Sequence, residues 1–263
     1  MNVDVIRPLV KRTLTLRDLQ KPLSRHVAVG ILCDDKDDVS SIRANGSLSL
    51  IQFPHEKLLV TAFHVWDRFM YADPPSYIAA CCSEPDELGD CFVISESEIV
   101  SSSHPLDITV LRPPSILSLE SRGKVFAPTG ELPWSTPNEG DPVIVVGSPG
   151  QFREDISTPD MMAFATHGFF LQLKVISVTE TKLWIELGGD FDEARLDVWN
   201  TFPIDWHTVN WGGLSGAPVF TADSNGTIRP CAILTDATDG IEGRFLATRL
   251  DCLDDRGQIE NVA

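Results

Sequence analysis

The chain has 263 residues, of which 43% are hydrophobic, and it carries a formal net charge of −17. A chain of this length can bury roughly 70–75% of its unfolded-state surface, so it needs no disulfides to form a core. Its negative charge opposes binding to phosphate backbones and to anionic lipid surfaces. We therefore expect neither a nucleic-acid partner nor a membrane partner.

The predicted cellular location follows from the N-terminus and the cysteines. Residues 1–20 alternate charged and apolar side chains and lack the apolar segment of a signal peptide. The six cysteines include no C-x-x-C pair, and no histidine lies at metal-ligand spacing from them. We expect a cytoplasmic protein with reduced thiols rather than disulfides, with no metal ion and no organic cofactor.

Short strand-like segments recur along the chain, separated by turn residues. In the first half they lie near residues 26–33, 47–53, 58–63, 91–100 and 107–112. In the second half they lie near residues 141–147, 169–179, 182–187, 217–220, 231–236 and 244–250. Helical patterns are confined to residues 10–20, 65–71 and a short C-terminal piece around 249–256. Many short strands with frequent turns predict an all-β barrel or sandwich.

Two kinds of strand pattern are present. Leu183 and Ile185 alternate with Trp184 and Glu186, which predicts a strand with one buried face. Residues 143–146 form a continuous apolar run, as expected for a strand covered on both faces.

The middle of the chain divides these strands into two groups. Residues 113–139 are poor in strand signal and contain five prolines, which suits a linker. The predicted organisation is an N-terminal extension at 1–25, a first β barrel at 26–112, a linker at 113–139, a second β barrel at 140–254 and a C-terminal tail at 255–263.

A serine flanked by glycines is the strongest local signal of chemistry. Ser215 follows Gly213 by two residues and is followed by Gly216, so it has little steric cover and unusual backbone freedom. A nucleophile needs a reachable hydroxyl and nearby N–H groups that face a developing oxyanion. A glycine-rich turn between strands fits the same pattern, so the serine needs catalytic partners.

Two further segments contain candidate partners for this serine. His64 follows a strand that ends in small residues, and Asp107 opens an apolar strand. A carboxylate among apolar side chains is costly to bury unless it is hydrogen-bonded. Asp107 would meet that need by accepting from a ring N–H of His64, which also fixes the imidazole tautomer. Taken alone, His64 fits a hydrogen-bonded histidine of the core, and Asp107 fits a residue that caps a strand or turn. The occurrence of all three segments in the order His, Asp, Ser favours a catalytic triad.

The three segments resemble motifs of the trypsin-like (chymotrypsin-fold) serine peptidases, in the style of their bacterial and HtrA-like members. Residues 61–64 (TAFH) are similar to the family's Thr-Ala-x-His motif, and residues 107–111 (DITVL) to its Asp-Ile-Ala-Val-Leu strand. Residues 213–218 (GLSGAP) are similar to its Gly-x-Ser-Gly-x-Pro motif. The resemblance covers about residues 28–252.

This resemblance implies an all-β fold of two six-stranded antiparallel β barrels packed together, with a short C-terminal helix. It implies a serine endopeptidase that forms a covalent acyl-enzyme, with Ser215 as nucleophile, His64 as general base and Asp107 orienting that base. The main-chain N–H groups of Gly213 and Ser215 would form the oxyanion hole.

The resemblance also implies a substrate-binding region. Val209 would lie at the base of the primary pocket, and Thr235, Asp236 and Ala237 would lie on the strand that pairs with substrate, with the Thr235 hydroxyl near Asp107. The expected partners are a protein or peptide substrate and a regulatory protein. Leu214 replaces the aspartate of zymogen-activated members, so we expect no activation by N-terminal cleavage.

Other nucleophile-based enzymes fit the sequence less well. An α/β-hydrolase needs a histidine after its serine, and none follows Ser215. A subtilisin-like serine opens a helix, whereas residues 217–220 indicate a strand, and nothing near the cysteines indicates a cysteine peptidase. His104, His167 and His207 remain alternative bases. A catalytically idle or partner-gated trypsin-like domain that binds protein remains the alternative function.

Overall fold

The structure is a computed structural model that describes most of the two predicted halves. The described residues are 22–33, 42–70, 77–81, 97–121, 123–130, 132, 134–150, 153–155, 164–166, 169–187, 209–223, 225–238 and 243–260. The predicted helix at 10–20, most of the N-terminal extension, much of the loop at 152–168, and the alternative bases His167 and His207 lie outside these residues.

The apolar segments of the first half form one antiparallel sheet. Its strands are β1 Val27–Cys33, β2 Ile42–Gln52, β3 Lys57–Thr61, β4 Tyr77–Cys81, β5 Glu98–Ser103 and β6 Ile108–Arg112. They are hydrogen-bonded in the order β4-β1-β2-β3-β6-β5, and a short strand β7, Ala127–Pro128, pairs parallel with β2. Helix α1, Phe63–Met70, follows β3, and helix α2, Ile116–Ser121, follows β6.

The pairing of β3 with β6 brings the histidine segment and the aspartate segment together. Val60 lies opposite Val110, and Thr61 lies opposite Thr109. All four side chains are buried. Because the two strands run antiparallel, the end of β3 and the start of β6 meet at the same edge of the sheet.

The second half closes into a barrel. The strands are β8 Pro142–Gly147, β9 Arg153–Asp155, β10 Phe164–Thr166, β11 Phe169–Val178, β12 Lys182–Glu186, β13 Pro218–Ala222, β14 Ile228–Ala237 and β15 Arg244–Arg249. Six of them form a closed antiparallel barrel in the order β11-β12-β15-β14-β13-β8, and β9 pairs with β10 separately. The predicted all-β fold is confirmed, with two six-stranded antiparallel sheets. Both sheets were predicted to be barrels; among the described residues the second is closed, whereas the first runs from β4 to β5 without closure and adds the short parallel strand β7.

The side-chain patterns read from the sequence have the predicted burial. Leu183 and Ile185 are fully buried, whereas Trp184 between them is 40% exposed. Every residue of the apolar run at 143–146 is buried. The alternating segment is therefore buried on one face, and the continuous apolar segment is buried on both faces, as the two patterns predicted.

The predicted short C-terminal helix is a single 3-10 turn, Leu250–Cys252. It ends because Leu253 is extended, with φ −110° and ψ 147°, and bridges to Ile259. Between them the Asp254 carboxylate accepts from the N–H groups of Arg256 and Gln258 at 2.9 and 2.8 Å. An aspartate that satisfies following N–H groups in this way favours a turn over a helix.

The two halves share one buried apolar cluster. It contains Ile51 and Val110 from the first sheet and Ile144, Phe220 and Ile233 from the second barrel. Separating the halves would expose these side chains to water, at about 25 cal/mol for each Å² of apolar surface. The seam between the halves is therefore part of the core.

Candidate active site

His64 and Asp107 form a pair at the edge where β3 ends and β6 begins. The imidazole Nδ1 lies 2.8 Å from Asp107 Oδ2, and the main-chain N–H of His64 donates to Asp107 Oδ1 at 2.9 Å. An ionised carboxylate only accepts hydrogen bonds, so Nδ1 carries the proton in this contact. The carboxylate thus orients the ring and leaves Nε2 as the acceptor nitrogen of the neutral imidazole.

Asp107 has an unusual main-chain conformation. Its φ of 53° lies in the left-handed region, and it is the one non-glycine residue with positive φ among the described residues. Its N–H donates to the carbonyl of His104 at 3.0 Å, which closes a tight turn before β6. A non-glycine residue in this region costs on the order of 1–2 kcal/mol. Such strain persists only where the surroundings over-determine it, and it is concentrated at functional sites.

The charge state of Asp107 follows from its contacts. Partial burial raises the pKa of its carboxyl group, but the side-chain and main-chain hydrogen bonds from His64 lower it, as do the charges of His64 and Lys182. The lowering effects together outweigh burial, and the pKa of Asp107 is below its ordinary value. Asp107 is therefore an anion at neutral pH, as a base-orienting carboxylate must be.

Strand β2 of the first half holds the Ser215 loop directly. The main-chain N–H of Ser47 donates to the carbonyl of Ser215 at 2.8 Å, and the Ser47 hydroxyl donates to the carbonyl of Gly213 at 2.9 Å. The Ser49 hydroxyl donates to the carbonyl of Gly216 at 2.7 Å. These three hydrogen bonds fix the loop on the seam between the two halves.

The contact at Gly216 leaves no room for a side chain. Its φ is +92°, and a Cβ placed there would lie 1.9 Å from the Ser47 carbonyl oxygen and 2.4 Å from Thr61 Oγ1. The Thr61 hydroxyl itself donates to that Ser47 carbonyl at 2.8 Å. Because Thr61 ends the strand that leads to His64, the residue after Ser215 touches the segment that carries the histidine.

The Ser215 hydroxyl points to the second barrel in this structure. Its Oγ donates to the carbonyl of Thr235 at 3.5 Å. Within the described part of the chain it makes no hydrogen bond to His64. Catalytic hydrogen bonds are often long or misaligned in unliganded enzymes and tighten on substrate binding.

The main-chain N–H groups around Ser215 differ in whether they have an acceptor among the described residues. The N–H of Leu214 donates to Trp211 and that of Gly216 donates to Leu234. In contrast, the N–H groups of Gly213 and Ser215 have no hydrogen-bond acceptor among the residues that the structure describes. Gly213 has φ 98°, a conformation that a glycine adopts without strain. These are the two donors predicted for the oxyanion hole.

Two of the predicted substrate-binding residues have buried side chains. Val209 is 1% exposed and belongs to the apolar cluster inside the second barrel. Thr235 is 2% exposed, and its hydroxyl donates to the carbonyl of Leu246 at 3.1 Å. The resemblance implied that this hydroxyl would lie near Asp107, but the carboxylate takes its hydrogen bonds from His64, and none from Thr235, within the described residues. A bulge in β14 at Thr235 gives the strand its local kink.

Asp236 and Ala237 lie on a part of β14 that has one strand neighbour. The pairing of β14 with β13 ends at Ile233, whereas its pairing with β15 continues to Ala237. Asp236 is exposed, and its Oδ1 accepts from the N–H of Ala237 at 2.8 Å. Within the described residues, the outer edge of β14 at 235–237 is therefore open to another strand.

The position before Ser215 is apolar and filled. Leu214 is 1% exposed, and a Cβ on Gly147 would lie 2.6 Å from its Cδ2 atom. A buried apolar site of this kind has no partner for the ammonium group of a new N-terminus. That N-terminal cleavage does not activate the chain stays a prediction.

The sequence interpretation missed Ser47 and Ser49. Both side chains are fully buried, and they alternate in β2 with Leu48 and Leu50, which face the core. Small polar residues at alternate positions of a buried strand were the available signal. The sequence could not show which carbonyls they would meet. The alternative base His104 packs edge-on against Phe63, with ring centroids 5.2 Å apart.

The described residues form neither a metal-binding cluster nor a membrane-spanning helix. They contain no group of three or more His, Cys, Asp or Glu side chains that could hold a metal ion. Every helix among them is too short or too polar to cross a bilayer.

The arrangement of the strands decides the architecture. A six-stranded antiparallel sheet packs on a closed six-stranded barrel. His64 lies in helix α1 directly after β3, Asp107 lies in the turn before β6, and Ser215 lies in the loop before β13. The fold is trypsin-like. The chain is similar to the crystal structure of a thermostable serine protease AL20 from an extremophilic microorganism, at 11% identity over 86% of this chain and 91% of that one, with a TM-score of 0.47. It is also similar to human heparin binding protein, at 11% identity over 88% of each chain, with a TM-score of 0.49. No protein-family profile and no curated protein sequence matches the chain.

Proposed function

We propose that this trypsin-like chain is a serine endopeptidase that uses Ser215, His64 and Asp107. The observation that carries the proposal is the docking of the Ser215 loop on Ser47 and Thr61, at the end of the strand that leads to the oriented His64. The serine loop is held against the strand that leads to the histidine, and that histidine is paired with an ionised aspartate. Nucleophilic acyl transfer needs a serine, a base and a group that orients the base.

The proposed reaction proceeds through an ester. Ser215 Oγ forms a bond to the peptide carbonyl carbon while Nε2 of His64 takes the hydroxyl proton. The C–N bond of the peptide then breaks, and the same proton passes from His64 to the leaving amine. A water molecule, deprotonated by His64, hydrolyses the acyl-enzyme and regenerates the serine. Asp107 stays ionised throughout and stabilises the imidazolium.

The free N–H groups of Gly213 and Ser215 support this reaction. They are the donors that would stabilise the negative charge on the tetrahedral carbonyl oxygen. Removal of one such donor typically lowers kcat by about 10²–10³. The hydrogen bond from the Ser47 hydroxyl to Gly213 helps to hold this loop in the required conformation.

The proposed substrate is an extended protein or peptide segment. The open edge of β14 at 235–237 offers main-chain groups to a substrate strand, which is a common mode of peptide recognition. Val209 would lie beneath the pocket for the side chain at the cleavage site. Its apolar character favours an apolar or small side chain there over lysine or arginine.

A second candidate function is a catalytically idle or partner-gated domain that binds protein. The hydrogen bond from the Ser215 hydroxyl to Thr235, rather than to His64, favours it. In the gated form, a regulatory protein would rotate the serine side chain toward His64. The idle and the gated forms differ in whether any partner or substrate restores activity.

Cleavage of a peptide library tests the proposed function. The wild-type protein is expected to generate new peptide termini at sites with a common side-chain preference, and Ser215→Ala is expected to generate none. Addition of a chelator should not change the rate. A folded wild-type protein that cleaves no peptide or unfolded protein, alone or with cell extract, would favour the binding module.

A further inference from the structure

A lysine and a threonine of the second barrel converge on the turn that presents Asp107. Lys182 on β12 and Thr248 on β15 are directly opposite each other in the antiparallel pair, so their side chains share a face. Lys182 Nζ donates to the carbonyl of Leu106 at 2.7 Å and to the Thr248 hydroxyl at 2.7 Å. Thr248 Oγ1 donates to the same Leu106 carbonyl at 2.5 Å.

The carbonyl of Leu106 belongs to the peptide group that joins it to Asp107. Two donors on this oxygen fix the plane of that peptide group, and Asp107 follows it with a positive φ. The rotation of the peptide group determines where the carboxylate points. The second barrel therefore restrains the aspartate of the first half, just as β2 restrains the serine loop of the second half.

Lys182 also provides a positive charge in a half-buried position. Burial lowers the pKa of its ammonium group, while the negative charges of Asp107 and of a Cys252 thiolate would raise it. Burial also raises the pKa of the Cys252 thiol to about 12, so that thiol is neutral at working pH. Among the described groups that affect Lys182, Asp107 is the anion, and His64 is paired with that anion on its other side.

We infer that Lys182 is a positioning residue for the Asp107–His64 pair, which clamps the Leu106–Asp107 peptide group from the opposite barrel and supplies a compensating positive charge. Its effect on catalysis rests on the proposed peptidase function, but its effect on the pair does not. Lys182 does not touch substrate in this account. It acts through the aspartate.

Three substitutions separate charge from hydrogen bonding. Lys182→Met removes the charge and the donors at similar length. Thr248→Val removes the other donor to Leu106 without a change of charge, and Lys182→Arg retains the charge. Lys182→Gln replaces the methionine variant if that variant does not fold, as judged by circular dichroism and thermal melting.

The kinetic measurement is kcat/KM on one cleaved peptide as a function of pH. Lys182→Met is expected to lower kcat about 10- to 100-fold with a small change in KM, because a misplaced base loses alignment. Loss of a cation also favours the imidazolium, so the acidic limb should move up by about half a pH unit. Thr248→Val should lose less activity than Lys182→Met, and the acidic limb of its pH profile should not move. Lys182→Arg should retain most of the wild-type kcat. The inference would be overturned if Lys182→Met and Thr248→Val lost equal activity and had identical acidic limbs in their pH profiles. It would also be overturned if Lys182→Met lost no activity.

A spectroscopic measurement keeps this test independent of peptidase activity. The proton between His64 Nδ1 and Asp107 should give a low-field NMR signal, which is assigned by its absence in His64→Ala. The signal should persist in Thr248→Val and Lys182→Arg and should weaken or broaden in Lys182→Met at the same pH. A wild-type protein without activity, but with this pattern, would refute the peptidase and retain the inference. Equal signals in all variants would refute the inference whatever the activity.

Discussion

The main-chain N–H of Ser47 donates to the carbonyl of Ser215 at 2.8 Å, so a strand of the first half holds the proposed nucleophile of the second. The reverse contact runs from Lys182 to the carbonyl of Leu106, beside Asp107. Each half therefore restrains a proposed catalytic residue of the other half, Ser215 in one direction and Asp107 in the other. These reciprocal contacts fix the Ser215 loop and the Leu106–Asp107 peptide group on the interface between the two halves.

The Ser47 hydroxyl should matter for activity beyond its effect on stability. Ser47→Ala leaves the carbonyl of Gly213 without its donor at a buried site, which is expected to lower the free energy of unfolding by about 1–2 kcal/mol. The freed peptide group should also misplace the Gly213 N–H and lower kcat about tenfold or more. Denaturant unfolding and peptide cleavage measure the two effects.

Ser101→Ala is the matched control for that substitution. The Ser101 hydroxyl, on β5, donates to the carbonyl of Gly257 at 2.7 Å, and neither residue belongs to the Ser215 loop. Ser101→Ala removes the same kind of hydrogen bond, from a serine hydroxyl to a main-chain carbonyl. It should lower the free energy of unfolding by a similar amount and leave kcat/KM unchanged. Equal kcat in Ser47→Ala and Ser101→Ala would contradict a role for Ser47 in the oxyanion loop.

Gly216→Ala should disrupt the seam far more than its backbone conformation alone explains. The added Cβ would meet the Ser47 carbonyl at 1.9 Å, so the loop must move. Gly140→Ala isolates the conformational cost, because Gly140 has φ +91° with no atom within 4 Å of a Cβ. We expect Gly140→Ala to cost about 1–2 kcal/mol with full activity. Gly216→Ala should cost several kcal/mol more and abolish cleavage, and similar thermal melts for the two variants would rule out the tight docking.

The stability of the protein in acid should depend on Asp107. The pKa of this carboxyl group is lowered in the folded protein from its ordinary value of 3.8. A group with a lowered folded pKa stabilises the fold above its unfolded pKa, and this contribution is lost as the pH falls through the folded value. The difference in unfolding free energy between wild type and Asp107→Asn should therefore be constant above roughly pH 5 and shrink below roughly pH 4. Urea titrations from pH 7 to 3 measure this difference in unfolding free energy. A difference that grows as the pH falls would contradict a lowered pKa for Asp107.

His64 and Ser215 should behave as one catalytic unit. We expect His64→Ala and Ser215→Ala each to lower kcat by about 10⁴–10⁶, with the double variant little worse than either single one. Each removes the same activated nucleophile, so the second removal has nothing left to affect. Single-turnover kinetics with excess enzyme measure the residual rates. Additive losses would be inconsistent with proton transfer from Ser215 to His64.

Local patterns in the sequence were sufficient for most of the fold. The predicted strands at 141–147, 169–179 and 182–187 correspond closely to β8, β11 and β12 because burial on one or both faces leaves a clear periodicity. Helix α2 was missed, because it lies in a proline-rich segment that indicated a linker. Its cue was Ser115, whose hydroxyl accepts from the N–H of Ser118 at 3.1 Å as a helix cap.

The candidate site was predictable only where a motif marks it. His64 and Asp107 were found because each has a recognisable local motif, and their pairing follows from β3 and β6 lying side by side. Lys182 has no such motif, and its partner Leu106 is 76 residues away in the sequence. Contacts of this kind depend on how the two barrels pack, which no local pattern encodes.

The predicted domain boundaries at 26–112 and 140–254 remain a prediction. The described residues between them are not a free linker, because Val125 and Thr129 donate main-chain hydrogen bonds to Arg25 and Gln52 at 3.0 and 3.1 Å. The segment lies along the first sheet. Limited proteolysis after residue 112 would test whether the boundary is accessible.

Labelling with a fluorophosphonate probe tests the central claim most directly, since the probe forms a covalent bond only with a serine that a nearby base has activated. We predict one probe per wild-type molecule, attached to Ser215 by peptide mass spectrometry. The label should be absent from Ser215→Ala and strongly reduced in His64→Ala, while Ser101→Ala is labelled as wild type. Labelling that is unaffected by the loss of His64, or a folded wild-type protein that takes up no probe with or without substrate peptide, would contradict the account.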